Sequence, residues 1–325
     1  MNVVVTGATS FLGAPMAERF LRDGDRVYAV VRPGSRNMGR VEKLRERYGG
    51  RIIPVSVKLE DTDRIADVIK EPCSLWVHFG WDGAGSGNRT QRDIQQKNAE
   101  DSLRALRGAE SLGCRRFVFS GSQAEYGIRD SLMKESDPCR PVSEYGKAKV
   151  RFYQAAREYL TESGSAIEYV HARIFSVYGP GDHPWSLVES CRKAFLAGEE
   201  ISLGECAQMW NFLYRDDCLE ALFLLAKAQG TVGFSAATPS GREKNGIYNV
   251  AAPEAETRLL RSYVETMYRL CGSRGSFVYG VRPPNAEGQA NLIPSTQKLR
   301  ETVGFAAKIG FEDGFLRLLE TEATR

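Results

Sequence analysis

The chain has 325 residues and a formal net charge of +3, and 42% of its residues are hydrophobic and 26% charged. This length allows one large domain or two smaller ones, and the small charge without a basic tract gives no indication of a nucleic-acid partner. No run approaches the roughly 20 apolar residues of a membrane span, so we expect no membrane segment. We also expect no signal peptide, because the first strand is predicted from residue 2.

Other patterns exclude several kinds of chemistry. The seven cysteines have no C-x-x-C spacing, which predicts reduced thiols and a cytoplasmic location. The three histidines stand in no metal-ligand motif, so no metal site is predicted. The chain has neither the G-x-S-x-G motif of many serine hydrolases nor the Gly-Lys-Ser/Thr ending of a nucleotide-triphosphate loop.

The first predicted element is a strand that breaks abruptly into a glycine turn. Val3, Val4 and Val5 form an apolar run without a polar face, as in a strand buried on both sides of a parallel sheet. Gly7 follows, and apolar residues then recur at helical spacing. A helix that begins at such a turn directs its unpaired N–H groups at a phosphate, although an ordinary turn between a strand and a helix has the same pattern. Ser10 occupies the position where a middle glycine is common.

The next segments alternate between strand-like and helix-like patterns. Strands are predicted at 26–31, 52–57, 75–79 and 117–119, and helices at 14–22, 40–48, 61–70, 91–112 and 143–163. This rhythm predicts an α/β fold with a Rossmann-type doubly wound parallel sheet, in which ligands bind at the carboxyl ends of the strands. After residue 175 the pattern becomes irregular, which predicts a smaller, loop-rich C-terminal region.

A tyrosine and a lysine four residues apart are the candidate catalytic pair. Tyr145 and Lys149 share one face of a predicted helix, where an ammonium group favours the phenolate form of tyrosine. An ordinary surface pair has the same spacing. However, Ser122 follows the predicted strand 117–119, so a hydroxyl, a phenol and an ammonium group are expected to converge at the edge of the sheet.

Six segments together resemble the extended short-chain dehydrogenases/reductases of the nucleotide-sugar epimerase/dehydratase family. They are TGATSFLG (6–13), SGSQAEYG (120–127), YGKAK (145–149), IFSVYGPG (174–181), NFLYRDD (211–217) and VRPPN (281–285). The resemblance implies that Tyr145 is the acid/base, that Lys149 lowers its pKa and holds the nicotinamide ribose, and that Ser122 hydrogen-bonds the reacting oxygen. It also implies a homodimer through the helices near 95–112 and 145–162.

The same resemblance leads to a set of binding residues and to two domains. For the cofactor we expect Thr6, Gly7, Ser10, Phe11, Leu12, Gly13, Arg32, Ser35, Arg36, Leu59, Phe79, Gly80, Trp81, Asn98, Tyr145, Lys149 and Ile174. For a nucleotide-sugar substrate we expect Trp81, Ser122, Gln123, Ser176, Trp210, Arg282 and Asn285. The predicted dinucleotide-binding domain comprises 1–175 and about 210–250, and the predicted nucleotide-sugar-binding region comprises 176–209 and 251–325.

Departures from the family pattern narrow the predicted reaction. Dehydratases of this family carry an Asp-Glu pair after the strand-end hydroxyl, where this chain has Gln123 and Ala124, so dehydration is not expected. No acidic residue ends the second strand, and Arg32 stands there with Ser35 and Arg36 close behind. This favours NADP(H) over NAD, since an arginine can bind the 2′-phosphate, although NAD remains possible and both arginines can be plain solvated charges.

The predicted function is therefore NADPH-dependent reduction of the 4-keto group of a nucleotide-linked 6-deoxy sugar. The segment SGSQAEYG is similar to that of reductases for CDP- and GDP-linked 4-keto-6-deoxy sugars. The alternatives are an NAD-dependent nucleotide-sugar 4-epimerase, which uses the same catalytic residues, and a dinucleotide-binding regulator without activity. Trp210 replaces a family arginine that binds the diphosphate, Asn285 replaces an acidic residue, and Arg282 is the remaining candidate phosphate anchor.

Overall fold

A computed structural model describes residues 1–237, 245–284 and 286–323. The strands are β1 (Asn2–Thr6), β2 (Arg26–Val31), β3 (Ile52–Ser56), β4 (Leu75–His78), β5 (Arg116–Ser122), β6 (Glu168–Ile174), β7 (Ser176–Tyr178), β8 (Glu200–Ser202), β9 (Met209–Trp210), β10 (Phe212–Tyr214), β11 (Ile247–Val250), β12 (Arg258–Leu259) and β13 (Ser276–Val278). The α-helices are α1 (Gly13–Arg22), α2 (Gly39–Tyr48), α3 (Arg92–Ser111), α4 (Glu144–Ser163), α5 (Leu187–Ala197), α6 (Arg215–Lys227), α7 (Leu260–Leu270), α8 (Gln297–Val303) and α9 (Phe311–Ala323).

Seven of the described strands form one parallel sheet in the order β3-β2-β1-β4-β5-β6-β11. The order reverses direction at β1 and β4, so the loops that follow these strands diverge and leave a crevice for a ligand. Val3, Val4 and Val5 are fully buried because helices cover both faces of the sheet. The predicted doubly wound α/β fold is confirmed.

The two faces of the sheet are covered by different helices. Apolar residues of α1, α2, α6 and α8 form the core on one face, and those of α3 and α4 form the core on the other. Beyond the sheet, α5, α7 and α9 pack with β8 and β10 around a third apolar core. β11 comes from the second half of the chain and pairs with β6, so the chain returns to the sheet after building part of this outer region.

One predicted helix is wrong in type. The segment expected as a helix at 61–70 is a 3₁₀ segment over Leu59–Asp67, with a break at Arg64. The Thr62 hydroxyl donates a hydrogen bond to the carbonyl of Leu59 (2.7 Å), which favours the tighter turn. Gly108 of α3 packs directly against the Thr62 carbonyl, where a Cβ atom would come within 2.1 Å, so packing on α3 holds this segment close.

Candidate active site

The glycine turn between β1 and α1 has a backbone conformation that other residues rarely adopt. Gly7 has φ +66°, and a Cβ atom there would lie 2.8 Å from the carbonyl carbon of Phe79. A Cβ atom on Gly13 would lie 2.1 Å from the carbonyl oxygen of Gly7. Ser10, in place of the middle glycine, accepts a hydrogen bond from the Gly13 N–H at 2.9 Å and so satisfies the first N–H of the helix.

A cavity of about 710 Å³ opens beside this turn, and we call it the glycine-loop cavity. The predicted cofactor residues that line it are Gly7, Ser10, Phe11, Arg32, Ser35, Arg36, Leu59, Phe79, Gly80 and Trp81. A Cβ atom on Gly80 would lie 2.4 Å from the Leu59 side chain, so the glycine lets Leu59 pack closely here. The size of the cavity, the glycine cradle and the basic rim fit a dinucleotide.

Several predicted cofactor residues do not line this cavity within the described ranges. The Thr6 side chain is fully buried and its hydroxyl lies 2.8 Å from Nδ1 of His78, while Leu12 packs on the apolar core. Asn98 binds the backbone of Asp82 in both directions, accepting from its N–H (2.8 Å) and donating to its carbonyl (2.7 Å). Ile174 pairs with Ser122 in the sheet. Asn98 thus supports the loop after β4, and Ile174 flanks the strand end.

The residues expected to read the 2′-phosphate lie on the rim of the cavity. Arg32 is exposed and forms an ion pair with Asp82 (3.0 Å), which is exposed as well. An exposed pair of this kind is weak, so a phosphate can displace the carboxylate. The Ser35 hydroxyl lies 3.0 Å from that of Thr9, and Arg36 lines the same rim. Sequence reasoning missed Asp82, since nothing along the chain indicates that it reaches Arg32.

Arg40 is a second residue that sequence reasoning missed. Its guanidinium donates to the Thr9 carbonyl (3.4 Å) and to the Gly181 carbonyl (3.1 Å), and all three residues line the glycine-loop cavity. Burial, with a smaller contribution from nearby Arg215, lowers its pKa. Arg40 lines the cavity from α2, so it adds a cation that an anionic ligand can contact.

The hydroxyl, phenol and ammonium groups meet at the carboxyl ends of the strands, as their spacing predicts. Ser122 ends β5, and its hydroxyl faces the phenol of Tyr145 on α4, where it lowers the pKa of that phenol. The Ser122 hydroxyl also accepts from the Ala124 N–H (3.2 Å), so its own proton remains for an oxygen acceptor. Lys149 donates to the Ser120 carbonyl (2.7 Å), and its ammonium lies 3.5 Å from the centroid of the Trp81 ring.

Burial dominates the acidity of both titratable groups of this trio. Burial raises the pKa of Tyr145, which leaves the phenol protonated at neutral pH. Burial lowers the pKa of Lys149 well below its usual range, and the Glu125 carboxylate opposes this change. The Lys149 ammonium lies 5.4 Å from the Tyr145 ring centroid and closer to Trp81 than to the phenol. The Lys149 ammonium, which the sequence analysis placed beside Tyr145 alone, therefore contacts Trp81 as well.

A buried ionic network holds the backbone of Ser122 in place. The fully buried Glu125 carboxylate accepts from the Ser122 N–H (2.8 Å), from Nε2 of His171 (2.9 Å) and from Nε of Arg173 (2.9 Å). Burial lowers the pKa of His171, so the neutral imidazole donates from Nε2 and accepts from Tyr169 at Nδ1 (2.6 Å). Although burial alone raises the pKa of Glu125, these partners bring it down to about 2.

A second cavity, of about 530 Å³, lies between α5, β8 and the segment that contains Arg282, and we call it the Arg282 cavity. Of the predicted substrate residues, Arg282 lines it. Trp185, which is 64% exposed, borders both this cavity and the glycine-loop cavity, so the two are neighbours. The Arg282 cavity therefore has the position and the basic group expected for a nucleotide sugar that approaches a cofactor.

The other predicted substrate residues are more dispersed. Gln123 begins the turn after Ser122, and Ser176 begins β7 beside Phe212 of β10. Trp210 of β9 pairs with Arg258 of β12 in a separate two-stranded sheet, and its ring nitrogen is buried without a hydrogen-bond partner. Asn285 lies outside the described residues.

Membrane-spanning helices and metal-binding groups are both absent from the described residues. The described residues contain no helix that is long and apolar enough to cross a membrane. In the same part of the chain, no group of three or more histidine, cysteine and acidic side chains is arranged to hold a metal ion. The seven cysteines are all free, and six of them are buried.

The comparison with known proteins agrees with this geometry. Residues 3–251 match the family model described as the NAD dependent epimerase/dehydratase family. The chain therefore belongs to this family.

Individual relatives are distant. GDP-mannose 3,5-epimerase 1 of Oryza sativa subsp. indica is 24% identical over 242 residues, which are 70% of this chain and 62% of that protein. dTDP-6-deoxy-L-talose 4-dehydrogenase (NAD(P)(+)) of Kitasatospora kifunensis is 28% identical over 69% of this chain and 70% of that protein. The solved structure of MoeE5 in complex with UDP-glucuronic acid and NAD superposes with a TM-score of 0.82 at 21% identity and covers both chains fully.

Proposed function

We propose that this protein reduces the 4-keto group of a nucleotide-linked 6-deoxy sugar with NADPH. The observation that carries the proposal is the trio of Ser122, Tyr145 and Lys149, with Gln123 and Ala124 rather than an acidic pair directly after Ser122. Glu125, the carboxylate that follows this turn, is buried against Arg173 and His171 and has a pKa of about 2. It cannot exchange a proton with a substrate, so elimination of water lacks its catalyst.

The residues of the trio have distinct roles in this reaction. When bound, the reduced nicotinamide supplies the hydride to carbon 4. Tyr145, protonated at neutral pH because it is buried, donates its proton to the oxygen as negative charge develops there. Ser122 donates a second hydrogen bond to that oxygen, and Lys149 holds the nicotinamide ribose and favours the phenolate that remains.

The choice of cofactor separates this function from its alternative. Arg32 and Arg36 on the rim of the glycine-loop cavity support NADPH, and so does the absence of an acidic residue at the end of β2. A nucleotide-sugar 4-epimerase with NAD has support of its own, since Asp82 engages Arg32 and the MoeE5 structure was solved with NAD. The relative named as a 4-dehydrogenase with NAD(P)(+) supports oxidoreduction at carbon 4 without separating the two cofactors.

Titration of the cofactor-stripped protein with NADPH and with NAD⁺ tests this choice. We expect tighter binding of NADPH, and we expect Arg32→Ala to weaken it by about 10-fold or more, because a charge-assisted hydrogen bond contributes roughly 1.5–3 kcal/mol. Binding of NAD⁺ should not change. Tighter binding of NAD⁺ to the unaltered protein would overturn the reductase and favour the epimerase.

The reaction itself is tested with NDP-4-keto-6-deoxy sugars that differ in their nucleotide. Loss of NADPH absorbance and formation of a 6-deoxy sugar product are expected, and Tyr145→Phe should abolish both while cofactor binding persists. Conversion of UDP-glucose to UDP-galactose with no net change in cofactor would instead identify the epimerase. An active Tyr145→Phe protein would contradict the role of the phenol.

Three further proposals accompany this function. The dinucleotide-binding domain comprises 1–175 and about 210–250, the nucleotide-sugar-binding region comprises the remaining segments, and the protein forms a homodimer through α3 and α4. The cytoplasmic location and the closer similarity to reductases for CDP- and GDP-linked sugars stay predictions.

A further inference from the structure

Arg89, which precedes α3, contacts the candidate catalytic tyrosine in two ways. Its carbonyl accepts a hydrogen bond from the Tyr145 N–H at 2.9 Å. Its guanidinium carbon lies 4.5 Å from the centroid of the Tyr145 ring, closer than the Lys149 ammonium at 5.4 Å. A cation at this distance from a ring is attracted to its face and also stabilises negative charge on the phenol oxygen.

The guanidinium is held in this position by two other groups. Nε of Arg89 donates to the Ala84 carbonyl (2.8 Å), and Nη1 donates to a carboxylate oxygen of Glu287 (3.0 Å). The Glu287 side chain is only 7% exposed, and its other oxygen accepts from the Ser143 hydroxyl (3.0 Å). Ser143 is the N-cap of α4 and accepts from the Gly146 N–H. Glu287 therefore ties Arg89 to the helix that carries Tyr145.

We infer that Arg89 is a positioning residue that orients Tyr145 and favours its phenolate form, and that Glu287 directs the Arg89 guanidinium toward the ring. The groups that face Tyr145 are the Ser122 hydroxyl on β5, the Arg89 cation before α3, the Glu287 and Glu125 carboxylates, and Lys149 on α4 itself. Arg89 and the Ser122 hydroxyl favour the phenolate, and the two carboxylates oppose it.

This inference rests on the proposed role of Tyr145 as the acid, but it can be tested without a substrate. The full-length protein is labelled with 3,5-difluorotyrosine, whose phenol is more acidic than that of tyrosine, and the fluorine resonances are titrated against pH. The spectrum of Tyr145→Phe identifies the resonance of residue 145. The titration is carried out with and without saturating NADP⁺, and circular dichroism verifies that each protein stays folded.

Arg89→Met is expected to raise the pKa of the residue 145 phenol by about 1 unit or more, since an opposite charge within a few ångströms typically lowers a pKa by 1–3 units. Arg89→Lys should retain most of the effect because it keeps the charge. The matched control is Lys147→Met, which removes an exposed cation on the same helix that pairs with Glu144, and it should not move the pKa. A pKa in Arg89→Met within a few tenths of the unaltered protein would overturn the inference.

The role of Glu287 is tested by a double-mutant cycle. If Glu287 directs the guanidinium, Arg89→Met should change the pKa less in a Glu287→Ala background than in the unaltered protein. An equal change in both backgrounds would remove Glu287 from the assignment. A shifted pKa without reduction of any 4-keto sugar would disprove the proposed function alone, and reduction without a shift would disprove this inference alone.

Discussion

Replacing Glu125 with glutamine tests how strongly the buried network supports the Ser122 turn. The carboxylate is fully buried and joins Ser122, His171 and Arg173. Glutamine has the same shape but no charge, so Arg173 is left buried without its counter-ion. A pKa of about 2, against the ordinary 4.5, corresponds to about 3 kcal/mol of folding stability. This agrees with the roughly 3–5 kcal/mol that breaking a buried ion pair costs.

We therefore expect Glu125→Gln to lower the melting temperature by roughly 5 °C at neutral pH, as follows from about 3 kcal/mol in a chain of this size. The control is Glu144→Gln, which removes a surface ion pair with Lys147 and should cost about 0.5 kcal/mol or less. Differential scanning calorimetry of the three proteins measures both changes.

The pH dependence of the stability difference between the unaltered protein and Glu125→Gln gives a second measurement. The folded pKa of Glu125 lies below its ordinary value, so its contribution is complete above pH 4.5 and is lost as the pH falls toward 2. The advantage of the unaltered protein over Glu125→Gln should shrink by about 2 kcal/mol by about pH 3. A Glu125→Gln protein as stable as the unaltered one, or a difference independent of pH, would refute an ionised Glu125 bound to Arg173.

Two other predictions concern the cavities. Gly13→Ala should abolish cofactor binding in calorimetric titration while the protein stays folded, because the new Cβ atom meets the Gly7 carbonyl oxygen at 2.1 Å and distorts the turn. The control is Gly50→Ala, since Gly50 has no positive φ and nothing lies within 4 Å of its Cβ position. Unchanged binding in Gly13→Ala would contradict the role of the glycine turn. Arg282→Met should weaken binding of nucleoside diphosphates in the Arg282 cavity by about 10-fold and leave NADPH binding intact. The expected loss corresponds to the lower end of the free energy that a charge-assisted hydrogen bond contributes. Equal nucleotide binding by both proteins would remove Arg282 as the phosphate anchor.

Local patterns in the sequence were sufficient for the fold and for the placement of Ser122, Tyr145 and Lys149 at one edge of the sheet. The valine run of β1, the glycine turn and the regular β-α alternation each depend on residues close together along the chain, so periodicity and propensity predict them. The trio was predictable because strand ends of a parallel sheet meet at one edge, and Ser122 and Tyr145 therefore converge. The helix expected at 61–70 was wrong because packing against Gly108 of α3 favours a tighter turn there.

Only the tertiary structure decided which charges meet. Arg32 pairs with Asp82, and Arg89 pairs with Glu287 across a separation of nearly two hundred residues in the chain. In the sequence Glu125 looks like an ordinary charged residue of a turn, but folding buries it against Arg173. Electrostatic interactions depend on distance and burial, and both are set by contacts between distant segments rather than by local pattern. The sequence therefore determines which chemical group each residue carries, whereas the fold determines which partner that group meets. The acidity of Tyr145 depends on such partners.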